Sequence, residues 1–233
     1  LYDSSGLAVT QHFVESSDGT KVPYFMVASK NLKCDGSNPT LLYGYGGFEI
    51  SQLPCYSAGV GRAWTSQGGV YVVANIRGGG EYGPRWHQAA LKANRLRAYE
   101  DFAAVAGDLV KRGITCKRRL GIMGGSNGGL LVGNMIATYS DLFQAAVCQV
   151  PLLDMRRFHL LLAGASWTAE YGNPDAPGEW EFIKTYSPYQ MINPDKKYPA
   201  VLFMTSTRDD RVHPGHARKM MALMEAQGHD VSY

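Results

Sequence analysis

Short apolar runs alternate with helix-patterned stretches through most of the chain, and this alternation limits the folds that the sequence can adopt. The apolar runs lie at residues 40–43, 70–76, 120–123, 145–150 and 200–205, and helical patterns occupy residues 99–112, 128–139 and 214–227. Strands that are apolar throughout are typical of parallel sheets that helices bury on both faces. The sequence therefore predicts an α/β fold with a mostly parallel sheet and helices on both faces.

The first 30 residues have a different pattern. Two β-type segments, around residues 12–15 and 21–27, are separated by the turn sequence Ser17-Asp18-Gly19. No internal repeat is found along the chain, and 233 residues suit one α/β domain with a large core. We therefore predict a single domain over residues 1–233, with its working residues on loops at the carboxyl ends of the strands.

Composition excludes several function classes. The formal charge is only +3 with Lys and Arg scattered, which predicts neither a nucleic-acid groove nor a membrane-surface helix. No apolar run approaches the roughly 20 residues that span a bilayer. The widely spaced Cys34, Cys55, Cys116 and Cys148 predict free, mostly packing thiols, not a metal or redox site. The chain begins at Leu1 without a signal-peptide pattern, so we expect a missing true N-terminus and a cytoplasmic protein.

The segment Gly124-Gly125-Ser126-Asn127-Gly128 fits the G-x-S-x-G pattern between a predicted strand and a predicted helix. That context is typical of a nucleophile elbow, in which a sharp turn exposes the serine and needs small neighbours. A plainer interpretation is a glycine-rich connection with an incidental serine, because the chain has 27 glycines. The location at a strand end favours Ser126 as a catalytic nucleophile.

Four segments resemble the catalytic domain of the prolyl oligopeptidases, in the order of that family. They are Tyr43-Gly44-Tyr45-Gly46-Gly47-Phe48, the stretch from Ala74 to Gly83, the elbow extended to Gly129, and Asp209-Asp210-Arg211-Val212. The resemblance covers the chain from about Asp18 to Tyr233, and it implies an α/β-hydrolase fold. Asn127 after the serine and the segment ending at Phe48 are more similar to prolyl oligopeptidase than to oligopeptidase B.

The resemblance implies a role for each matching position. Ser126 attacks the scissile carbonyl, and the Asn127 N–H with the Tyr45 hydroxyl forms the oxyanion hole. Arg211 holds a substrate carbonyl on the acyl side. The proline pocket is implied to consist of Phe48, Leu152, Trp167, Tyr171 and Val212. The alternatives from the residues alone are ordinary packing for the apolar side chains and a salt bridge with Asp209 or Asp210 for Arg211.

The triad acid is expected on the loop after the strand at residues 200–205, because α/β-hydrolases order the triad as Ser, acid, His. Chemistry alone does not separate Asp209 from Asp210. The resemblance implies that Asp209 is the triad member, and Asp210 is a candidate cap for the next helix.

The triad histidine is expected beyond Tyr233, after a last strand that begins near His229. The six histidines present are His12, His87, His159, His213, His216 and His229. We expect none of them to be the base, since His229 lies at the amino end of its strand and His213 and His216 follow the acid loop directly. The 233-residue chain is accordingly expected to be a truncated, inactive piece of a working enzyme.

These features predict a serine peptidase that cleaves short peptides on the carboxyl side of proline through an acyl-enzyme. No metal or organic cofactor is implied, and the expected partners are proline-containing peptides and an N-terminal propeller domain. Nucleic acid and membranes are not expected partners. The alternatives are an esterase, a peptidase of other specificity, and a non-catalytic peptide-binding domain. A carboxylate in the pocket, from Glu49, Glu81 or Glu170, would indicate basic substrates.

Overall fold

The computed structural model describes residues 2–233 and is organised around one sheet of eight strands. The strands are β1 (Leu7–Glu15), β2 (Lys21–Ser29), β3 (Thr40–Tyr43), β4 (Val70–Ala74), β5 (Leu120–Gly125), β6 (Ala145–Gln149), β7 (Ala200–Met204) and β8 (Val231–Ser232). Their order across the sheet is β1-β2-β4-β3-β5-β6-β7-β8. β1 and β2 form an antiparallel hairpin, β2 pairs antiparallel with β4, and every later pair is parallel. The predicted mostly parallel sheet is confirmed.

Eight α-helices connect and cover these strands in the described part of the chain. They are α1 (Ala58–Ala63), α2 (Pro84–Gln88), α3 (Leu96–Lys111), α4 (Asn127–Tyr139), α5 (Thr168–Tyr171), α6 (Glu179–Ile183), α7 (Pro188–Met191) and α8 (Gly215–Ala226). α3 packs on β1, β2 and α4, whereas α4 packs on β5 and β6 and α8 on β7 and β8. Helices layered on a mostly parallel sheet are what the alternation predicts, and the arrangement agrees with the α/β-hydrolase fold that the resemblance implies.

One row of side chains shows where the core lies. Leu42, Val72, Ile122, Ala146 and Val201 are paired across five neighbouring strands, and each is at most 2% exposed. Side chains that point to the opposite face are only partly buried within this chain, and on β7 they are exposed. From β4 to β7, the sheet therefore has one buried face and one half-open face.

Predicted and observed boundaries agree within a few residues for the long elements. The strand predicted at residues 40–43 is β3 itself, and the helices predicted at 128–139 and 214–227 are α4 and α8. The segment 158–191 folds into short helical turns that the sequence pattern does not resolve. Such turns carry few periodic positions, so tertiary contacts decide their shape.

A buried ion-pair cluster ties the hairpin to the parallel strands. The Arg77 guanidinium contacts the carboxylate of Asp101 on α3 and that of Asp18 at the β1–β2 turn, each at 2.6 Å. The Arg77 and Asp101 side chains are 6% and 0% exposed. The Arg77 N–H also donates to Asp101 at 3.0 Å, which holds the loop that follows β4.

All four cysteines are free, as predicted, but only Cys148 is buried. Cys34 and Cys55 are exposed, so the expectation of mostly packing thiols is wrong for these two. Burial raises the pKa of the Cys148 thiol well above its ordinary value. Across residues 2–233, no helix combines the length and apolar character that a bilayer crossing requires.

We expect Arg77→Met to lower the free energy of unfolding by about 3–5 kcal/mol, because it leaves the Asp101 carboxylate buried without its partner. Urea unfolding followed by tryptophan fluorescence measures the change. Arg97→Met is the matched control: Arg97 also pairs with Asp18 but is 42% exposed, so its loss should cost less than about 1 kcal/mol. Equal shifts for the two variants would contradict this account of the cluster.

Candidate active site

The turn between β5 and α4 has the geometry of a nucleophile elbow. Ser126 has φ 58° and ψ −116°, a backbone conformation that non-glycine residues rarely adopt. Its N–H donates to the Gln149 carbonyl at 3.0 Å, and its own carbonyl accepts the N–H groups of Gly129 and Leu130 at 2.9 and 3.1 Å. These hydrogen bonds hold a strained, half-buried serine at the amino end of α4.

The elbow packs directly on the loop that follows β3. A Cβ atom on Gly124 would lie 2.4 Å from the Gly128 carbonyl oxygen, and one on Gly128 would lie 2.6 Å from the Gly44 oxygen. The need for glycine at these two positions is therefore steric. The same contact brings Ser126 beside Tyr45, the next residue of the β3 loop.

Two hydrogen-bond donors face the serine region. The Asn127 N–H belongs to the first turn of α4, where N–H groups have no acceptor within the helix. Tyr45 is half-buried, and burial raises the pKa of its phenol, while the nearby Ser126 side chain and the charges of Arg95 and Arg211 oppose the rise. Tyr45 is thus a protonated donor at neutral pH next to Ser126.

The geometry separates Asp209 from Asp210. The half-buried Asp209 accepts the N–H groups of Arg211 and Val212 on Oδ1, at 3.0 and 2.9 Å. Asp210 is exposed, and it does not cap α8, because the Gly215 N–H donates to His213 Nδ1 at 2.9 Å instead. The suggested capping role of Asp210 is therefore wrong. Asp209 is the carboxylate that its loop fixes in place.

Strand register brings the serine and this carboxylate to one edge of the sheet. Gly125, Gln149 and Met204 are paired across β5, β6 and β7, and they are the last residues of those strands. Ser126 and the loop that carries Asp209 therefore leave the same edge, two strand spacings or about 10 Å apart.

The residues implied for a proline pocket lie at different depths. Tyr171, Leu152 and Val212 are at most 3% exposed and belong to the core. Phe48 and Trp167 are half-buried and pack against it. The Phe48 ring meets the Tyr171 ring edge-on, with centroids 5.6 Å apart.

Arg211 is exposed, and its guanidinium has no carboxylate within ion-pair distance among residues 2–233. The alternative of a salt bridge with Asp209 or Asp210 is therefore not realised. The Arg211 backbone carbonyl accepts the Ala163 N–H at 3.3 Å, which connects the acid loop to the segment before α5.

The three carboxylates that the sequence leaves as candidates for a charged substrate pocket have distinct environments. Glu170 is 4% exposed and contacts Arg95 and His87, each at 2.7 Å. Glu81 accepts the Gln52 N–H at 2.9 Å, and Glu49 is 45% exposed with its carboxylate 3.9 Å from His87. Arg95 is the functional candidate that sequence reasoning missed. A buried arginine leaves no periodic signal, so only its contacts reveal it.

The six histidines lie in different environments. His216 is buried and accepts two backbone N–H groups, and His213 accepts the Gly215 N–H. His87 and His159 contact the carboxylates of Glu170 and Asp175 at 2.7 Å. His12 lies on β1, and His229 precedes β8 at the amino end of that strand, as predicted.

The sheet order, the elbow after β5 and the acid loop after β7 define an α/β-hydrolase domain. A profile of the prolyl oligopeptidase family matches residues 59–233. An uncharacterized peptidase of Sinorhizobium fredii is 56% identical over 227 residues, which are 97% of this chain and 31% of that protein. A prolyl endopeptidase of Elizabethkingia meningoseptica is 44% identical over 218 residues, which are 93% of this chain and 31% of that protein.

Solved structures agree with these sequence comparisons. A post-proline cleaving enzyme from Rickettsia typhi superimposes with a TM-score of 0.95 at 44% identity, over 98% of this chain and 33% of that chain. The chain belongs to the prolyl oligopeptidase family. It spans about a third of the length of the relatives that it matches.

His216 makes the stability of the loop after β6 depend on pH. Its Nδ1 accepts the N–H groups of Leu153 and Asp154 at 3.2 and 3.1 Å, and burial lowers its pKa from 6.5 to about 4. The unfolded chain therefore binds the proton first, so stability is full above pH 6.5 and falls as the pH drops toward 4. The loss corresponds to about 3 kcal/mol.

We expect His216→Asn, whose Oδ1 can accept the same two N–H groups, to remove most of this pH dependence between pH 6.5 and 4. Urea unfolding at a series of pH values measures the slope for each protein. His229→Asn is the control, and its slope should match that of the parent chain. An unchanged slope in His216→Asn would show that other groups cause the acid sensitivity.

Proposed function

We propose that the protein is a serine peptidase that cleaves short peptides on the carboxyl side of proline through an acyl-enzyme. The observation that carries the proposal is the elbow: Ser126 sits in a strained turn beside the Tyr45 hydroxyl and at the amino end of α4. The fixed Asp209 at the same edge of the sheet adds the expected triad acid. A purely structural domain has no need for all of these features together.

In the proposed mechanism, Ser126 Oγ attacks the scissile carbonyl and transfers its proton to a general base. The carbonyl oxygen becomes an oxyanion, which accepts hydrogen bonds from the Asn127 N–H and the Tyr45 hydroxyl. Collapse of the tetrahedral intermediate breaks the C–N bond as the protonated base gives its proton to the leaving amine, and the acyl group stays on Ser126. Water then gives a proton to the base as it attacks the ester, and collapse of the second tetrahedral intermediate releases the carboxylic acid and returns the proton to Ser126.

Proline selectivity is supported by the character of the surrounding side chains. Phe48 and Trp167 present aromatic surface, and Tyr171 supports Phe48 from the core. Glu170 is buried and paired with Arg95, so it does not offer a free carboxylate to a basic substrate. An apolar, aromatic pocket without net charge suits a rigid pyrrolidine ring. The unpaired Arg211 guanidinium is available to hold a substrate carbonyl on the acyl side.

The names of the relatives agree with this specificity. The Elizabethkingia meningoseptica protein is called a prolyl endopeptidase and the Rickettsia typhi structure a post-proline cleaving enzyme. We further propose that the complete gene product carries an N-terminal propeller that limits access to short peptides. The general base is proposed to come from outside the six described histidines, and the 233-residue chain alone should then be inactive.

Labelling with a fluorophosphonate serine probe tests the nucleophile and the base together. We expect the complete gene product to label and Ser126→Ala to abolish labelling, while the 233-residue chain reacts at least about 1,000-fold more slowly. Ser126-dependent labelling of the short chain at a comparable rate would mean that one of the six histidines is the base. A complete gene product that fails to label would favour the non-catalytic alternative.

Asp209 and Asp210 form a matched pair for testing the triad acid. In the complete gene product, we expect Asp209→Asn to lower kcat on a proline peptide by about four orders of magnitude with little change in KM, because the base loses its orienting carboxylate. Asp210→Asn should stay within about threefold of the parent enzyme, since Asp210 is exposed. The assignment of the acid is wrong if the two effects are reversed.

A further inference from the structure

A charged cluster lies buried directly behind the loop that carries Tyr45 and Phe48. The side chains of Arg95 and Glu170 are 1% and 4% exposed, and Arg95 Nη1 donates to Glu170 Oε1 at 2.7 Å. Arg95 Nη2 donates to the side-chain oxygen of Asn127, the residue after the nucleophile. We call Arg95, Glu170 and Asn127 the Arg95 cluster.

Glu170 has two contacts besides Arg95. Its Oε1 accepts the backbone N–H of Phe48 at 3.0 Å, and its Oε2 lies 2.7 Å from His87 Nε2. One carboxylate thus connects α5, α2 and the first residue of the proposed proline pocket. Phe48 is also the residue whose ring packs on Tyr171.

Asn127 joins the same network to the proposed oxyanion hole. Its Nδ2 donates to the Tyr45 carbonyl at 2.6 Å, and its Oδ1 accepts the Tyr171 hydroxyl at 2.8 Å. The fit is tight, because a Cβ atom on Gly47 would lie 2.5 Å from Asn127 Nδ2 and 2.8 Å from Arg95 Nη2. The Arg95 cluster therefore contacts the loop from Tyr45 to Phe48 at both ends.

The loop needs such support, since its backbone is strained. Phe48 and Glu49 are consecutive non-glycine residues in the left-handed region, with φ of 56° and 57°. The hydrogen bond from the Phe48 N–H to Glu170 and one from the Glu49 N–H to the Gly78 carbonyl, at 3.2 Å, hold this turn. Without the Glu170 carboxylate, the strained backbone at Phe48 loses the hydrogen bond that its N–H donates.

We propose that Glu170 and Arg95 are positioning residues that set the Phe48 ring and the Asn127 peptide relative to Ser126, and thereby set the selectivity for proline. This inference rests on the proposed function. A buried ion pair is rarely more stabilising than an apolar pair of the same size, so its contribution here is to geometry. Neither side chain touches substrate: Glu170 acts through Phe48, and Arg95 acts through Asn127.

The test uses the complete gene product and two substrates that differ only in proline or alanine at the residue before the scissile bond. Active sites are titrated with the fluorophosphonate probe, so that kcat/KM refers to folded enzyme. We expect Glu170→Leu to lower kcat/KM for proline about 100-fold and that for alanine less than about tenfold. Selectivity for proline should fall by about tenfold or more.

Two further variants keep the test independent of folding. Arg95→Met with Glu170→Leu removes both buried charges at once, so it leaves no unpaired charge in the core. We expect it to fold and still to lose the selectivity. Glu170→Gln keeps an oxygen that can accept the Phe48 N–H, and it should retain at least threefold more selectivity than Glu170→Leu.

Asp108→Asn is the matched control for a general loss of stability. Like Glu170, Asp108 is a carboxylate paired with an arginine, here Arg112, and it accepts the Tyr24 hydroxyl, but it lies near the opposite end of α3. Its distance along the helix from Leu96 is about 18 Å. We expect a lower Tm for this variant with an unchanged ratio of the proline and alanine kcat/KM values.

The outcomes separate the inference from the proposed function. If the parent enzyme cleaves after proline but the Glu170 variants keep its selectivity, the positioning role is wrong and the proposed function stands. The positioning role is equally wrong if Asp108→Asn loses as much selectivity as Glu170→Leu. If the parent enzyme itself does not cleave after proline, both proposals fail.

Discussion

The parallel pairing of β3 with β5 is the contact on which the site depends. Tyr43 is paired with Met123, and the Gly44 N–H extends the ladder by donating to the Met123 carbonyl at 3.3 Å. The β3 loop and the elbow therefore leave the sheet side by side, close enough for glycine alone to fit between them. The strand register thus places the loop that carries Tyr45 next to the elbow that carries Ser126.

Features that depend on local pattern were predictable from the sequence, and features that depend on distant partners were not. Apolar runs marked β3 to β7, and the elbow motif marked Ser126, because strand burial and a sharp turn leave local signals. Asp209 was separated from Asp210 only through the family resemblance, although its two backbone hydrogen bonds now distinguish it. Glu170 remained an open candidate for a charged pocket, since its partner Arg95 lies 75 positions away.

Three buried carboxylates form ion pairs that connect different parts of the domain. Asp101 pairs with Arg77 and joins α3 to the end of β4, while Asp154 contacts Lys219 and joins the loop after β6 to α8. Burial alone would raise the pKa of Asp154, yet hydrogen bonds and nearby positive charges lower it. Glu170 differs in its hydrogen-bond partners, because it accepts the Phe48 N–H, which belongs to a strained loop next to the Ser126 elbow. Loss of the Asp101 or Asp154 pair should therefore lower the stability of the domain. Loss of the Glu170 pair should in addition change the proposed selectivity for proline.

The loop after β7 holds Asp209 by one of its two carboxylate oxygens. Oδ1 accepts two N–H groups of its own loop, and none of residues 2–233 donates to Oδ2. Two strand spacings separate the loop after β7 from the elbow after β5. A base that enters this gap would donate one N–H to Oδ2 and accept the Ser126 proton on its other nitrogen. The described residues thus bring the proposed nucleophile, oxyanion donors and acid to one edge of the sheet, whichever histidine completes the proposed triad.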